Sequence, residues 1–308
     1  MVSGASRFSK VSPMRQRGAL IVGPVCVDEV VVDGKKRTLV GSPVYYIGKA
    51  LAALGVRVRA YGTFATPEKV LIRSYLKGME VVQLPVPQTL RMILEYDSKN
   101  PDERVHRCVY APNPITRENA RMMDIQGMDY VIMGPLFYDN TPPVVYAELH
   151  RKGVPIIYGN FGMFNYPDGE KMLRRNPENL LGVLRYVDMV FLDKKECLFV
   201  TGKSSVSAAA KVLGAQGQVV VITKGSNGSV VFSGGRMYSI PSFKPRKLVD
   251  PTGAGDTYLA GFVRALSLFD NPGMQGRFAA MCATMKIERS GAFTGSLNGV
   301  LQRLGTRV

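Results

Sequence analysis

The chain has 308 residues, with 40 Lys and Arg against 24 Asp and Glu, which gives a formal net charge of +16. This length fits one large α/β domain or two ordinary ones, and a hydrophobic content of 46% excludes a mainly disordered chain. No run of about 18 apolar residues occurs, which argues against a membrane-spanning helix and a membrane partner.

The positive charge is scattered along the sequence. A nucleic-acid binder would collect Lys and Arg in one run or on one helix face, with aromatic residues nearby, so a nucleic-acid partner is not expected. Two interpretations of the charge remain, a field that attracts anionic substrates and a basic solvated surface.

The cysteines lie far apart and form no CxxC pair, and the chain has only two histidines, His106 and His150. We therefore expect neither a zinc site nor a disulfide framework. Isolated thiols indicate a reducing compartment, so we expect a cytoplasmic protein. Residues 1–18 are basic, rich in serine and free of acids, which predicts a flexible tail, with an organellar transit peptide as the alternative.

The first half of the chain predicts strands and helices that do not alternate strictly. The predicted strands cover residues 19–27, 56–64, 80–86, 90–96 and 104–110, and the predicted helices cover residues 44–54 and 67–76. A polar turn between the last two strands indicates a hairpin. Segments 29–40 and 89–110 are expected to form a small sheet that projects as a lid over a crevice, where it would exclude water.

After Pro114, short apolar strands alternate with helices. Strands are predicted over residues 130–133, 155–158, 189–192 and 219–223, and helices over residues 144–150, 178–186 and 205–213. This alternation predicts a parallel sheet covered on both faces. A second hairpin is predicted over 228–232 and 236–240, before a mostly helical end. The fold class is therefore α/β, a doubly wound sheet flanked by helices over residues 19–308.

The strongest functional signal is the segment 250–257, DPTGAGDT, which precedes a helical pattern over 258–269. The small residues Gly253, Ala254 and Gly255 at a helix start expose backbone N–H groups, and with the helix dipole they form an anion site. Asp256 beside that site would repel a phosphate, but it could accept the proton of a hydroxyl that attacks the phosphate. Phosphoryl transfer needs this arrangement, and an ordinary capped helix is the alternative.

Segment 250–257, followed by AGF at 260–262, resembles the C-terminal signature of the ribokinase-like (PfkB) carbohydrate-kinase family. Other family elements recur in order over about residues 18–305. The resemblance implies a ribokinase-like fold and ATP-dependent phosphoryl transfer to a hydroxyl, with Mg²⁺ as a cofactor. It also implies that Asp256 is the catalytic base and that Gly253, Ala254 and Gly255 form the anion hole.

Three further segments resemble the family's donor-binding elements. Segment 223–228, TKGSNG, resembles a nucleotide loop, with a plain hairpin turn as the alternative, and segment 289–292, RSGA, resembles a late segment near the adenine and a monovalent-cation site. The ATP-binding residues implied are Thr223, Gly225, Gly228, Thr252, Gly291 and Ala292, with K⁺ as a further cofactor. Segment 193–196, DKKE, stands where the family has Asn-x-x-Glu, so Asp193 and Glu196 are implied to act on Mg²⁺ through water, with a solvated helix face as the alternative.

Acceptor binding is implied for Asp28, because segment 23–28 resembles the family's opening strand with its substrate aspartate. A carboxylate at the end of a strand can accept two hydroxyl hydrogen bonds, although a turn aspartate would look the same. Gly41 and Ser42 stand where the family usually has Gly-Gly. The Asn that often follows is missing, and Tyr45 and Tyr46 could line the pocket instead.

Segment 159–161 lacks the family's usual aspartate and offers Asn160 as a substrate-binding residue. These departures argue against a ribose- or fructose-type site and resemble a branch with inositol-kinase-like and nucleoside-kinase-like proteins. A sugar or polyol kinase, inositol kinase included, is the first hypothesis, and a nucleoside kinase is the alternative. From another class, the charge suggests a non-catalytic nucleic-acid-binding or regulatory protein. A homodimer through the lid sheets, with residues 39–40 and 92–94 at the interface, is also implied by the resemblance.

Overall fold

The computed structural model describes residues 18–96, 105–159, 162–175 and 180–306. In chain order the strands are β1 (Gly18–Pro24), β2 (Cys26–Val32), β3 (Lys35–Gly41), β4 (Arg57–Phe64), β5 (Glu80–Pro85), β6 (Leu90–Tyr96), β7 (Val105–Val109), β8 (Tyr130–Met133), β9 (Ile156–Tyr158), β10 (Asn165–Asp168), β11 (Lys171–Arg174), β12 (Met189–Asp193), β13 (Val219–Thr223), β14 (Ser229–Ser233) and β15 (Arg236–Ile240). The helices are α1 (Pro43–Ala53), α2 (Lys69–Tyr75), α3 (Arg117–Met122), α4 (Pro143–Arg151), α5 (Leu180–Leu184), α6 (Lys194–Thr201), α7 (Val206–Leu213), α8 (Ala254–Ala265), α9 (Pro272–Ile287) and α10 (Leu297–Leu304).

The large sheet has nine strands in the order β15-β14-β13-β12-β9-β8-β1-β4-β5. The seven strands from β13 to β5 run parallel, and β14 and β15 add an antiparallel hairpin at one edge. Successive side chains of β1 enter opposite cores: Ala19 and Ile21 pack with α1, α8 and α9, whereas Leu20 and Val22 pack with α4 and α7. Burial on both faces explains why this strand is continuously apolar and confirms the predicted doubly wound α/β class.

The smaller sheet has four strands in the order β3-β2-β6-β7. The β2–β3 and β6–β7 pairs are antiparallel and the β2–β6 pair is parallel. Its apolar side chains Cys26, Leu90 and Cys108 form a separate cluster with Phe137. The predicted small sheet is therefore present, and it begins at Cys26 because the predicted strand over 19–27 is two strands. The chain leaves the large sheet at Val25, whose N–H donates to the carbonyl of Thr63 at 3.1 Å.

Some elements differ from their predictions. Helix α8 spans Ala254–Ala265, four residues earlier than predicted, so the motif itself forms its first turn. Helix α3 and the β10–β11 hairpin were not predicted, and α5 covers only Leu180–Leu184. The predicted tail, all but its last residue, and Asn160 lie outside the described residues.

The cysteines agree with one expectation drawn from the sequence. Cys26, Cys108, Cys197 and Cys282 are all free thiols and all buried, so no disulfide framework exists among them. Within the described ranges, no helix has both the length and the apolar composition to cross a bilayer.

Candidate active site

The carboxyl ends of two neighbouring parallel strands bring Asp193 and Thr223 together. Asp193 ends β12 and Thr223 ends β13, and the two residues are register partners. Gly159 directly follows β9, and a Cβ there would lie 2.2 Å from Cδ1 of Leu259, so α8 packs closely against this edge of the sheet. Ligands of open α/β sheets bind in the crevice outside this edge.

The first turn of α8 needs glycine at Gly253 for two separate reasons. Gly253 caps the helix with φ 74°, a left-handed conformation that strains any residue with a Cβ. A Cβ at Gly253 would also lie 2.3 Å from Cδ1 of Tyr46. By contrast, a Cβ at Gly255 would meet no atom within 4 Å, so this face of the turn is open to a ligand. The Ala254 N–H already donates to the Pro251 carbonyl at 3.1 Å.

Asp256 lies in the first turn of α8 and is half-buried. Burial raises the pKa of its carboxyl group to about 7. A carboxyl group of that pKa is close to the ideal for a general base at neutral pH, because it is both partly ionised and basic enough to take a proton.

Asp28 lies inside β2 of the small sheet, not at the end of a strand of the large sheet as the sequence suggested. The Cys26 thiol donates to its Oδ1 at 3.1 Å, and burial raises the pKa of the carboxyl group to about 6. A Cβ at Gly41 would lie 2.0 Å from Oδ2 of Asp28. The glycine at the end of β3 therefore makes room for this carboxylate.

Tyr46 of α1 connects Asp28 with the start of α8. Its ring packs against Gly253, and burial together with the negative charges of Asp28, Asp250 and Asp256 raises the pKa of its phenol. The charges of Asp28 and Asp256 therefore both act on this one phenol. Sequence reasoning named Tyr46 only as a possible pocket residue, because tyrosines at a helix start are more often in the core.

Ser42 has a structural role that its position in the motif did not reveal. It is buried, and its Oγ accepts from the Tyr45 N–H at 3.4 Å as the N-cap of α1. Its φ of 108° is unfavourable for a residue other than glycine, and such strain is concentrated at functional sites. The cap fixes the start of the helix that carries Tyr46.

Glu196 and Asp193 form a reciprocal capping box at the start of α6. Asp193 Oδ1 accepts from the Glu196 N–H at 2.8 Å, and Glu196 Oε2 accepts from the Asp193 N–H at 2.7 Å. Burial, with the nearby charge of Asp193, raises the pKa of Glu196 to about 9, although Arg174 lies 3.6 Å from Oε1. Glu196 Oε1 is buried and has no hydrogen-bond partner.

This orphaned oxygen fits a hydrated divalent cation, which would favour the ionised carboxylate. Asp193 is committed to the cap, so Glu196 is the better of the two predicted metal residues. In the part of the chain that the structure describes, no three His, Cys, Asp or Glu side chains converge as a metal site. A cation here would therefore take most of its ligands from phosphate and water.

The segment 223–228 follows β13 as a tight turn into the β14 hairpin. A Cβ at Gly228 would lie 2.1 Å from the Ile240 carbonyl oxygen, so strand packing already requires that glycine. Gly225, with φ 58°, faces open space, as Gly291 does with φ 77°. Ala292 is buried and has a backbone hydrogen bond with Tyr45. Gly225 and Gly291 are therefore the glycines of this region that a nucleotide could approach.

The segment before the predicted anion hole is held by Lys286, which the sequence did not single out. Lys286 of α9 is buried, and its Nζ donates to the Asp250 carbonyl oxygen at 2.8 Å and to Asp250 Oδ2 at 3.1 Å. Asp250 Oδ1 accepts from the Thr252 N–H at 2.9 Å, and Oδ2 accepts from the Gly291 N–H at 3.2 Å. A lysine in a helical pattern predicts a solvated face, so the sequence held no signal for this contact.

Comparison with known proteins finds kinases of similar sequence and fold. A family model described as pfkB family carbohydrate kinase matches residues 169–298. A cytidine kinase of Thermococcus kodakarensis is 26% identical over 281 residues, which is 88% of this chain and 94% of the relative. A pyrophosphate-dependent myo-inositol-1 kinase, converted by mutation into a myo-inositol-3 kinase, has a solved structure with TM-score 0.77 and 25% identity, over 93% of this chain and 98% of that one. The ribokinase of Arabidopsis thaliana, complexed with ribose and ATP, shares the fold with TM-score 0.76 and 19% identity, over 95% of this chain and 100% of that one.

The chain is thus similar to ribokinase-like (PfkB) carbohydrate kinases, with a family-model match over residues 169–298. It is a phosphotransferase whose acceptor is an alcohol group, so the non-catalytic alternative raised by the charge is set aside.

Proposed function

We propose that the protein transfers the terminal phosphoryl group of ATP to one hydroxyl of a small sugar or polyol, an inositol included. The observation that carries this proposal is Asp256 in the first turn of α8, beside Gly253, on which Tyr46 packs, with the charges of Asp28 and Asp256 both acting on the Tyr46 phenol. In this proposal Asp256 removes a proton and Asp28 holds the neighbouring hydroxyl groups.

The reaction begins with the acceptor hydroxyl between Asp28 and Asp256. Asp28 accepts hydrogen bonds from the hydroxyl groups that do not react, which orients the one that does. Asp256 takes the proton of the reacting hydroxyl, and its oxygen attacks the terminal phosphorus of the donor in line. Backbone N–H groups at the start of α8 donate to the phosphoryl oxygens, and the helix dipole favours their negative charge.

Donor binding falls to residues at the end of β13, before α8 and after α9. Gly225 and Gly291 leave room beside the backbone, Thr223 lies at the end of β13, and Thr252 precedes the anion hole. When bound, Mg²⁺ supplies positive charge that neutralises the donor phosphates. Glu196 is the residue that fits it, and Asp193 holds Glu196 in place through the capping box.

A nucleoside acceptor is the second candidate. The relative from Thermococcus kodakarensis, matched over 94% of its length, is a cytidine kinase. Tyr46 at the acceptor site offers an aromatic ring in the place where the sequence lacks the family's Asn, and an aromatic ring can stack on a base.

The proposal is tested by incubating the purified protein with each of two donors, Mg-ATP and Mg-pyrophosphate, and following ADP or inorganic phosphate release. The acceptors are myo-inositol, ribose, fructose, adenosine and cytidine, with a no-acceptor control. We expect acceptor-dependent ADP release with ATP and a sugar or polyol. ADP release with cytidine or adenosine alone would favour a nucleoside as the acceptor. Turnover with pyrophosphate alone would overturn ATP as donor, and no turnover with any pair would contradict the proposal.

We further propose a cytoplasmic homodimer joined through the small sheets, as the resemblance implies. Leu39 is 39% exposed on the edge strand β3 and so is accessible to a partner, whereas Val40 is buried at 1% and cannot contribute its side chain. Measuring the mass in solution of wild type and of Leu39→Lys tests this interface, and an unchanged dimer in the variant would contradict it.

A further inference from the structure

The side chain of Lys286 has no solvent exposure, which is rare for a lysine. Burying a charge costs free energy unless partners replace the lost water, so the partners of this ammonium group are informative. They are the Asp250 carbonyl oxygen at 2.8 Å and Asp250 Oδ2 at 3.1 Å. The ammonium group of Lys286 thus holds the chain at Asp250, three residues before Gly253.

Asp250 links two segments of the site through the same carboxylate. Its Oδ1 accepts from the Thr252 N–H on the way to the anion hole, and its Oδ2 accepts from the Gly291 N–H. Burial alone would raise the pKa of Asp250, but the Thr252 N–H and the Lys286 ammonium group hold it below its ordinary value. Lys286 therefore keeps Asp250 ionised and keeps both segments attached to α9.

The resemblance led us to expect a monovalent cation such as K⁺ near residues 289–292. K⁺ would need carbonyl and carboxylate oxygens there, and the oxygens of Asp250 beside this turn already accept hydrogen bonds from Lys286. A cation within reach of the same oxygens would also lie beside the ammonium group, and like charges repel. The residues present do not fit a resident monovalent cation.

We infer that the Lys286 ammonium group is a built-in cation, a positioning residue that fixes the anion hole and makes turnover independent of monovalent cations. This inference rests on the proposed function. A misplacement of about 1 Å at a reacting centre can cost on the order of 100-fold in rate. Lys286→Ala should therefore lose on the order of 100-fold in kcat, while the donor KM changes much less.

The experiment measures turnover in tetramethylammonium buffer and again after adding KCl or NH₄Cl. We expect wild type to be indifferent to K⁺. Lys286→Ala should be slow in tetramethylammonium, whose ion is too large for the vacated space, and should recover part of its rate with NH₄⁺ or K⁺. Lys49→Ala is the matched control, because Lys49 also donates to a backbone carbonyl, that of Lys77 at 3.0 Å, but at an exposed site.

Several results would overturn the inference. A wild type that is active only with K⁺ would overturn the inference without any variant. The test therefore stays valid even if Lys286→Ala fails to fold. A folded Lys286→Ala that keeps the wild-type rate, or that no monovalent cation rescues, would also overturn it. A wild type with no phosphoryl transfer under any ion condition would instead count against the proposed function.

Discussion

Gly253 and Gly255 are two residues apart, yet the structure gives them opposite roles, which a pair of alanine substitutions can separate. At Gly253, alanine would adopt the left-handed conformation at a cost of about 1–2 kcal/mol. Its Cβ would lie 2.3 Å from Cδ1 of Tyr46, and such overpacking typically costs about 1–3 kcal/mol. We expect Gly253→Ala to lose about 2–5 kcal/mol of unfolding free energy.

At Gly255, a Cβ would meet no atom within 4 Å, and the residue lies in the first turn of α8. Alanine favours the helix over glycine by up to about 1 kcal/mol, so Gly255→Ala should be as stable as wild type or more stable. Its methyl group would nevertheless fill the space for the phosphoryl group. Loss of one donor from an oxyanion-binding site costs about 10²–10³-fold in kcat, and we expect a loss of this size.

Urea unfolding gives the free energies, and acceptor-dependent ADP release gives kcat for both variants. Only Gly253→Ala should lose stability, while both variants should lose turnover. A Gly255→Ala variant with full turnover would show that the phosphoryl group does not bind at this turn. Equal losses of unfolding free energy in the two variants would show that Tyr46 does not pack on Gly253.

Three further predictions follow from the carboxylates. Because burial raises the pKa of Asp256 to about 7, kcat/KM should fall below about pH 7 as the base becomes protonated, and a pH profile flat from 5 to 8 would contradict this. Glu196→Gln keeps an oxygen that can accept from the Asp193 N–H, so stability should hold, whereas a Mg²⁺ titration should show a higher concentration at half-maximal rate. Asp28→Asn should raise the KM for the acceptor by about tenfold, the effect of about 1.4 kcal/mol, and leave the donor KM unchanged; a shift in the donor KM instead would place Asp28 elsewhere.

Much of the fold was predictable because local patterns and tertiary structure agree. Strands β8 and β13 are short apolar runs between polar segments, and both occur at their predicted bounds. The break between β1 and β2 was not predictable, because the sequence is apolar on both sides of Val25. The β10–β11 hairpin was missed because its strands are polar and are held from outside, where the Cys108 N–H donates to the Glu170 carbonyl at 2.8 Å.

Some features of the candidate site were likewise predictable from the sequence, and others were not. That a helix starts at the predicted anion hole was predictable because small residues before a helix have few alternative uses, and the segment forms the cap and first turn of α8. The environment of Lys286 was not predictable, because its partner Asp250 lies 36 residues earlier and only the folded chain brings them together. The packing of Tyr46 on Gly253 is likewise a long-range contact that no local sequence pattern predicts.

The central claim is that Asp256 is the base of the reaction. Asp256→Asn tests this claim most directly. The control is Asp270→Asn, the same substitution at an exposed site. General-base catalysis contributes about 10²–10⁴-fold, so Asp256→Asn should lose that much in kcat while isothermal titration shows unchanged ATP binding. At pH 8 it should also unfold at a higher temperature than wild type, because a buried carboxylate no longer has to be ionised. An Asp256→Asn enzyme as fast as Asp270→Asn would contradict the account.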